Sequence, residues 1–136
     1  GASEIDMVMN IGFFKDRKLK AVANEFEEAK KMTADAILKI IIETSLLSKN
    51  EIVTACKTVE ASGADFVKTS TGFSGAGATV ENIILIQNTL GSETLIKASG
   101  QINTLEHVQN MLDAGANRIG TSSSTIIMKE IPFDLT

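Results

Sequence analysis

Side chains that often carry redox or metal chemistry are scarce in this sequence. Its 136 residues include one cysteine, one histidine, no tryptophan and no tyrosine. A single cysteine cannot form an internal disulfide, and one cysteine with one histidine cannot assemble a zinc site from the usual ligands. Cys56 lies in a helical pattern with Ile52 and Val59, which predicts a core position, and His107 lies in a polar helix, which predicts a surface position. We therefore expect no metal site.

Long apolar runs and basic stretches are also absent. Runs such as Ile40-Ile41-Ile42 are far shorter than the ~20 apolar residues that span a bilayer, and no signal peptide opens the chain. We therefore expect no membrane partner and a cytoplasmic location. The net charge is −4 and the lysines and arginines are scattered, without the basic stripe or aromatic platform typical of nucleic-acid binding. We therefore expect no nucleic-acid partner.

The remaining composition is that of a globular protein, with 43% apolar and 22% charged residues. Short β-branched runs alternate with longer segments of helical periodicity, and glycines lie between them, which predicts a βα repeat in a single α/β domain over residues 1–136. Ser48 and Glu51 have the spacing of a capping box. The predicted strands are 4–9, 37–43, 65–69, 94–98 and 117–121, and the predicted helices are 16–33, 48–62, 79–90 and 104–114.

Three lysines recur at one position of the repeat. Lys39, Lys68 and Lys97 each follow large apolar residues within a predicted strand, at a common spacing of 29 residues. This spacing predicts that the three lysines lie at the same level and on the same face of three successive parallel strands, near the carboxyl ends of those strands. Close cationic neighbours and burial lower the pKa of an ammonium group, which an amine nucleophile requires. The alternative is that each lysine points outward or extends past the helices into solvent.

Five βα units fit two architectures. A flavodoxin-like doubly wound sheet closes its core with five strands, whereas a TIM (β/α)₈ barrel needs eight units and typically ~250 residues. Chain length favours the first architecture and the lysines favour the second. The chain begins at Gly1 without a methionine and reaches its first strand at once, which predicts a truncated chain.

Glycines and hydroxyl groups follow three predicted strands, where the loops of βα folds build sites. Lys68 leads into a stretch with Thr71 and Gly72, whose spacing is not that of a Walker or dinucleotide motif, so a flexible connector is the alternative. Gly100 follows the next predicted strand. Gly120 leads into Ser122 and Ser123, where a helix is expected to start. The free N–H groups of a helix start can bind an anion. The alternative is that a serine side chain simply caps the helix. These loops predict a phosphate site.

Two acidic residues, Asp6 and Glu43, lie within or at the end of predicted strands near the lysines. Asp6 lies in an otherwise apolar strand, where it either faces the lysines, balances their charge and passes protons, or points outward. Glu43, with Thr44, ends the second predicted strand as a residue of the rim, where it caps a loop.

The segments that carry these residues closely resemble the deoxyribose-phosphate aldolase family, in order and through nearly the whole chain. The resemblance implies a class I aldolase on a TIM (β/α)₈ barrel that uses neither metal nor organic cofactor. It further implies reversible cleavage of 2-deoxy-D-ribose 5-phosphate to D-glyceraldehyde 3-phosphate and acetaldehyde, in deoxyribose phosphate catabolism. The similar segments are residues 4–12, 39–44, 66–72, 97–100 and 118–123.

The resemblance also implies roles for individual residues. Lys68 corresponds to the Schiff-base lysine, Lys97 to the second lysine that lowers its pKa, and Asp6 to the carboxylate of the proton relay. The residues assigned to the substrate and its phosphate are Lys39, Thr71, Gly72, Gly100, Gly120, Ser122 and Ser123.

Two departures from the family pattern affect these expectations. The family commonly has a second glycine where this chain has Gln101, whose side chain is expected to crowd the phosphate. The family's first three βα units have no counterpart here, and five strands cannot close an eight-strand barrel. The chain is then a fragment, completes its sheet with another copy, or forms an open sheet, and we expect self-association. The alternative function is a catalytically silent half-barrel or a flavodoxin-like assembly module.

Overall fold

The computed structural model describes residues 1–33 and 35–131 and contains one sheet of five parallel strands. No helix among these residues has the length and apolar character needed to cross a membrane. The strands are β1 (Glu4–Val8), β2 (Ile37–Ile41), β3 (Phe66–Lys68), β4 (Leu95–Ser99) and β5 (Arg118–Gly120). The helices are α1 (Ile11–Lys15), α2 (Leu19–Thr33), α3 (Lys49–Ala61), α4 (Val80–Gln87), α5 (Leu105–Asp113) and α6 (Ser124–Glu130), and a 3₁₀ turn covers Thr44–Leu46.

The order of the strands separates the two architectures. Each strand pairs with the next one along the chain, in the order β1-β2-β3-β4-β5. A flavodoxin-like sheet has its first strand in the interior, in the order 2-1-3-4-5. The flavodoxin-like alternative is therefore wrong, and the five βα units follow one another as they do in a barrel.

The hydrophobic core lies between one face of the sheet and the helices. In β2, Leu38 and Ile40 point to this face and are fully buried. They pack in one cluster with Phe26 of α2, and with Ile52 and Val59 of α3. Strand residues alternate between two faces, so the neighbours of Leu38 and Ile40 in β2 point to the opposite face. That opposite face carries the charged side chains.

The sheet is strongly curved. Four flat interstrand steps would hold β1 and β5 about 19 Å apart. Arg118 of β5 nevertheless donates a hydrogen bond to Glu4 of β1 across the charged face. Two side chains cannot span a flat sheet of this width, so this face is concave, as in the arc of a barrel.

A short sequence repeat joins the amino ends of the strands. Gly63-Ala64-Asp65 and Gly115-Ala116-Asn117 precede β3 and β5. Asp65 Oδ2 accepts a 2.8 Å hydrogen bond from the Leu38 amide, and Asn117 Oδ1 accepts one of 2.8 Å from the Ile96 amide. The third residue of the repeat therefore binds the neighbouring strand, which explains why a short side chain with an oxygen acceptor recurs there.

Most predicted elements are confirmed within a few residues. The capping box of Ser48 and Glu51 is present at α3, Cys56 is fully buried and His107 is exposed. The prediction of one helix over 16–33 was wrong at its start, because a separate α1 precedes it and Arg17 has a left-handed φ of 60° between α1 and α2. Helix α6, which had only been considered as a possible helix start, begins at Ser124.

Candidate active site

The three lysines share the concave face of the sheet. Lys68 of β3 lies directly opposite Lys97 of β4. Lys39 of β2 lies opposite Phe66, two residues before Lys68, so the prediction of one level for all three lysines was wrong for Lys39. Neighbouring strands in a barrel are staggered along their length, and an even stagger keeps the side chains on one face while it shifts their level.

Asp6 of β1 brings the lysines together. Its Oδ1 lies 3.0 Å from Lys39 Nζ, and its Oδ2 lies 2.6 Å from Lys68 Nζ and 3.5 Å from Lys97 Nζ. Lys68 and Lys97 therefore share one carboxylate oxygen, and their nitrogens are far closer than the ~10 Å over which salt screens a charge. Asp6 faces the lysines and does not point outward.

Burial and charge shift the pKa values of this cluster in different directions. Burial raises the pKa of Asp6, but hydrogen bonds from Lys68 and Lys39 outweigh it and bring the pKa from 3.8 to about 2. Burial lowers the pKa of Lys39, but hydrogen bonds to Glu4 and Asp6 outweigh it and leave the pKa above 10.5. For Lys97, burial and then the positive charge of Lys68 hold the pKa below 10.5. Lys39 therefore stays a cation, while Lys97 loses its proton more readily than a free lysine.

A second carboxylate extends the cluster toward the amino ends of the strands. Glu4 Oε2 lies 2.7 Å from Lys39 Nζ and is also paired with Arg118. The Arg118 guanidinium lies 4.9 Å from the centre of the Phe66 ring. Four cationic side chains thus share two carboxylates, which leaves an excess of two positive charges on this part of the concave face. Such a surface attracts an anionic ligand.

A cavity of about 460 Å³ opens beside the two closest lysines. It lies at the carboxyl ends of β3, β4 and β5, where βα folds bind ligands. Asp6, Lys39 and Ser123 are not among its lining residues. Asp6 contacts the lining residues Lys68 and Lys97, and Lys39 contacts Asp6. The predicted site residues that line it are Lys68, Thr71, Gly72, Lys97, Gly100, Gly120 and Ser122.

Ser123 bonds within the protein. Its amide donates a 2.9 Å hydrogen bond to Thr121 Oγ1, and its hydroxyl donates one of 3.2 Å to Asn103 Oδ1. The first bond lies within the loop between β5 and α6, and the second holds that loop against the loop that precedes α5. Of the two predicted serines, Ser122 and Ser123, Ser122 lines the cavity.

The glycine-rich stretch after Lys68 is packed against the loop after β4. The Ala78 amide donates hydrogen bonds of 3.0 and 3.3 Å to the carbonyls of Ser99 and Gly100. A Cβ atom on Gly77 would lie 1.9 Å from the Gly100 carbonyl oxygen, which leaves space only for hydrogen. The flexible-connector alternative was therefore wrong, because backbone contacts hold this stretch in place.

Gln101 bridges the same two loops with its side chain. Its backbone has a φ of 57°, in the left-handed region that glycine adopts at the least cost. Its Nε2 donates a 3.0 Å hydrogen bond to the Gly75 carbonyl. Gln101 lines the cavity, but its side-chain amide is bonded to the neighbouring loop, and we therefore expect little crowding of an anion.

Glu43 was predicted as a rim residue that caps a loop. It does bind the loop after β3, but from a buried position, since it is only 3% exposed. Its Oε2 accepts a 2.6 Å hydrogen bond from the Thr71 hydroxyl, and both of its carboxylate oxygens lie 3.3 Å from the Thr71 amide. The only signal in the sequence was a carboxylate directly after the apolar run of β2.

Replacing Asp6 by Asn is expected to destabilise the fold at neutral pH by about 1 to 2 kcal/mol, an amount limited by the 31% exposure of its side chain. The folded pKa of about 2 lies below the ordinary aspartate pKa of 3.8, so the stabilisation is complete above pH 3.8 and is lost as the pH falls toward 2. Urea unfolding of both proteins between neutral and acidic pH measures it. A difference that grows on acidification would contradict the assignment.

Comparisons with known proteins agree with this fold. A family model described as DeoC/LacD family aldolase matches residues 1–125. The deoxyribose-phosphate aldolase of Mycoplasmopsis pulmonis is 52% identical over 129 residues, which cover 95% of this chain and 59% of that protein. Deoxyribose-phosphate aldolase 1 of Staphylococcus aureus strain MSSA476 is 47% identical over 134 residues, covering 98% of this chain and 61% of that protein.

Solved structures of aldolases also superpose closely on this chain. The aldolase QR15 superposes with a TM-score of 0.92 at 43% identity, over 96% of this chain and 59% of that one. The deoxyribose phosphate aldolase of Aeropyrum pernix, described as tetrameric, superposes with a TM-score of 0.86 at 28% identity, over 95% of this chain and 55% of that one.

Strand order, curvature and these superpositions define the fold as five consecutive βα units of the TIM-barrel type. The chain belongs to the DeoC/LacD family of aldolases. It spans about 60% of the length of the curated relatives it matches, 59% of one and 61% of another.

Proposed function

We propose that this chain carries the Schiff-base site of a class I aldolase that cleaves 2-deoxy-D-ribose 5-phosphate to D-glyceraldehyde 3-phosphate and acetaldehyde. The observation that carries the proposal is the cluster of Lys68, Lys97 and Asp6 at the edge of a positively charged cavity. An amine nucleophile, a neighbouring base and a carboxylate that moves protons are the groups that imine chemistry requires. Trapping the imine with borohydride tests the proposal.

The steps follow from the positions of these groups. The neutral amine of Lys68 attacks the C1 carbonyl of the open-chain sugar, and loss of water gives a protonated imine. A base takes the proton of the C3 hydroxyl as the C2–C3 bond breaks, and the bonding electrons move into the imine to form an enamine. Asp6 and Lys97 lie beside Lys68 and are the groups that carry this proton, directly or through water. Protonation at C2 and hydrolysis then release acetaldehyde and free the lysine.

The excess of positive charge supports an anionic substrate. We assign the phosphate to the corner formed by Gly100, Gly120 and Ser122, which line the cavity at its β4 and β5 side. Loops after the last strands of a barrel often bind phosphate in this way. Lys39 is buried beneath Asp6, so we assign it to holding that carboxylate and no longer to direct contact with substrate.

Titration with inorganic phosphate is expected to shift the amide NMR signals of Gly100, Gly120 and Ser122. We expect Gln101→Gly to change the phosphate affinity by less than about twofold, because the glutamine amide is bonded to the Gly75 carbonyl. Gln101→Glu serves as the control, since it places a negative charge at the same position and should weaken binding. Marked tightening in Gln101→Gly would show that the side chain does cover the anion.

We also propose that copies of this chain associate. The strands β1 and β5 each have a neighbour on one side only among the described residues, and unpaired strand edges favour pairing with another chain. The tetrameric relative from Aeropyrum pernix supports assembly within the family. Light scattering over a range of concentrations is expected to give a mass above that of the 14.5 kDa chain. A constant monomeric mass at every concentration would reject this part of the proposal.

The reaction suggests a cellular role. We propose that the chain acts in the catabolism of deoxyribose phosphate in the cytoplasm, without a metal or an organic cofactor. An imine already supplies the electron sink that carbon–carbon cleavage needs. Activity measured after treatment with a metal chelator is expected to be unchanged, and a loss that added metal restores would contradict this assignment.

A further inference from the structure

Glu43 is a buried carboxylate that the proposed reaction does not use. It is 3% exposed and forms none of the salt bridges found among the described residues. Its backbone has a left-handed φ of 54°, which costs an ordinary residue free energy. Its side chain instead binds the amide and the hydroxyl of Thr71, three residues after Lys68.

The contact with Glu43 fixes the direction of the Thr71 hydroxyl. A carboxylate only accepts hydrogen bonds, so the 2.6 Å contact requires the Thr71 hydroxyl proton to point to Glu43. One lone pair of the same oxygen accepts a 3.2 Å hydrogen bond from the Phe73 amide. The second lone pair has no partner among the described residues, and Thr71 lines the cavity. Toward a ligand, this hydroxyl is therefore an acceptor and not a donor.

We propose that Glu43 is a positioning residue that makes Thr71 the acceptor for a substrate hydroxyl group. This inference rests on the proposed function and assigns Thr71 a specific part in it. Phosphate oxygens at neutral pH mostly accept hydrogen bonds, so a hydroxyl without an available proton cannot bind them well. Thr71 was predicted as part of the combined substrate and phosphate site, and its geometry assigns it to the sugar portion.

The chemistry of the substrate selects the hydroxyl. The open-chain sugar phosphate has hydroxyl groups at C3 and C4, and the C3 hydroxyl loses its proton during cleavage to a group near Lys68. The C4 hydroxyl keeps its proton and lies between the reacting carbon and the phosphate, so it is the donor assigned to Thr71. The negative charge of Glu43 behind Thr71 also disfavours phosphate on this side of the cavity and favours it at the Gly120 and Ser122 side.

Two unreactive ligands test this assignment without any turnover. Glycerol 3-phosphate has a hydroxyl at its middle carbon, and 3-hydroxypropyl phosphate has the same chain without it. Calorimetric titration of the 136-residue chain is expected to show a preference of about tenfold for glycerol 3-phosphate, the size of one hydrogen bond to a buried acceptor. Thr71→Val, which has the same shape without the hydroxyl, is expected to bind both ligands alike, and Thr71→Ser is expected to keep the preference.

The Glu43→Leu variant tests the positioning role itself. Leucine has a similar size and no hydrogen-bond acceptor, which releases the Thr71 hydroxyl proton, so the preference for glycerol 3-phosphate is expected to fall at least about fivefold. NMR provides a second reading, since the Thr71 hydroxyl proton should exchange slowly with water in the wild type and rapidly in Glu43→Leu. Equal loss of both ligands in Thr71→Val, or an unchanged preference and exchange rate in Glu43→Leu, would overturn the inference.

The outcome is separable from that of the proposed reaction. A tenfold preference without an imine on Lys68 would reject the aldolase chemistry and retain the hydroxyl site. An imine on Lys68 without any preference in the wild type would retain the chemistry and reject the role of Glu43 and Thr71.

Discussion

Borohydride reduction in the presence of acetaldehyde is expected to leave one ethyl group on Lys68. The side chain lines the cavity, and its nitrogen lies 2.6 Å from the carboxylate that it shares with Lys97. Attack on the aldehyde gives a protonated imine, which borohydride reduces to a stable secondary amine. Mass spectrometry of the digested chain locates the modified residue.

Three variants sharpen this expectation. Lys68→Ala should abolish the adduct. Lys97→Ala should slow trapping by about tenfold or more, because Lys97 shares the Asp6 Oδ2 oxygen with Lys68 and is one of the two groups beside it that move protons. Lys31→Ala is the matched control, since Lys31 is 67% exposed, is paired with Glu28 and is not among the residues that line the cavity. It should trap acetaldehyde as the wild type does.

The pattern of labelling separates two functions. Adducts spread evenly over exposed lysines, or adducts that persist undiminished in Lys68→Ala, would favour the catalytically silent half-barrel considered from the sequence. Trapping at Lys68 without cleavage of the sugar phosphate would show that the lysine cluster is active while the rest of the reaction needs groups outside these five βα units.

Local patterns in the sequence were sufficient for the five strands, for the helices α2 to α5 between them, and for the face that carries the lysines. The spacing of 29 residues places Lys68 opposite Lys97, because the pairing of β3 with β4 has the same offset as the spacing of these two lysines. The same spacing failed for Lys39. The stagger between β2 and β3 shifts Lys39 along the strand direction relative to Lys68. Stagger depends on how the whole sheet curves, and the spacing of residues along the chain carries no information about that curvature.

The remaining contacts of the site join residues far apart in the chain. Arg118 and Glu4 meet because the sheet is concave, and Glu43 meets Thr71 because the loop after β3 folds over the end of β2. Neither pair has a local signal beyond the presence of a charged residue near a strand. Gln101 was noticed as a departure from the family, but the partner of its side chain, the Gly75 carbonyl, is set by the packing of two loops.

Gly77→Ala is expected to destabilise the fold by about 3 kcal/mol, the upper range for an extra methyl group in a packed region. Its Cβ would lie 1.9 Å from the carbonyl oxygen and 2.2 Å from the carbonyl carbon of Gly100. These are backbone atoms, so no side-chain rotation relieves the clash. The two loops must separate, which breaks the hydrogen bonds from the Ala78 amide to Ser99 and Gly100. Urea unfolding measures the loss.

Gly12→Ala is the matched control for this substitution. Gly12 lies within α1, and a Cβ there would meet only Asn10 Oδ1, at an ordinary distance of 3.6 Å. Alanine is preferred over glycine in a helix by ~0.5 to 1 kcal/mol, so this variant should be as stable as the wild type or slightly more stable. Because separation of the loops also displaces Gly72 and Gly100 from the cavity, Gly77→Ala should weaken phosphate binding and adduct formation even where the chain remains folded, and Gly12→Ala should leave both intact. Equal unfolding midpoints for the two variants would mean that the loops are not in backbone contact, and the cavity would then need another explanation for its shape.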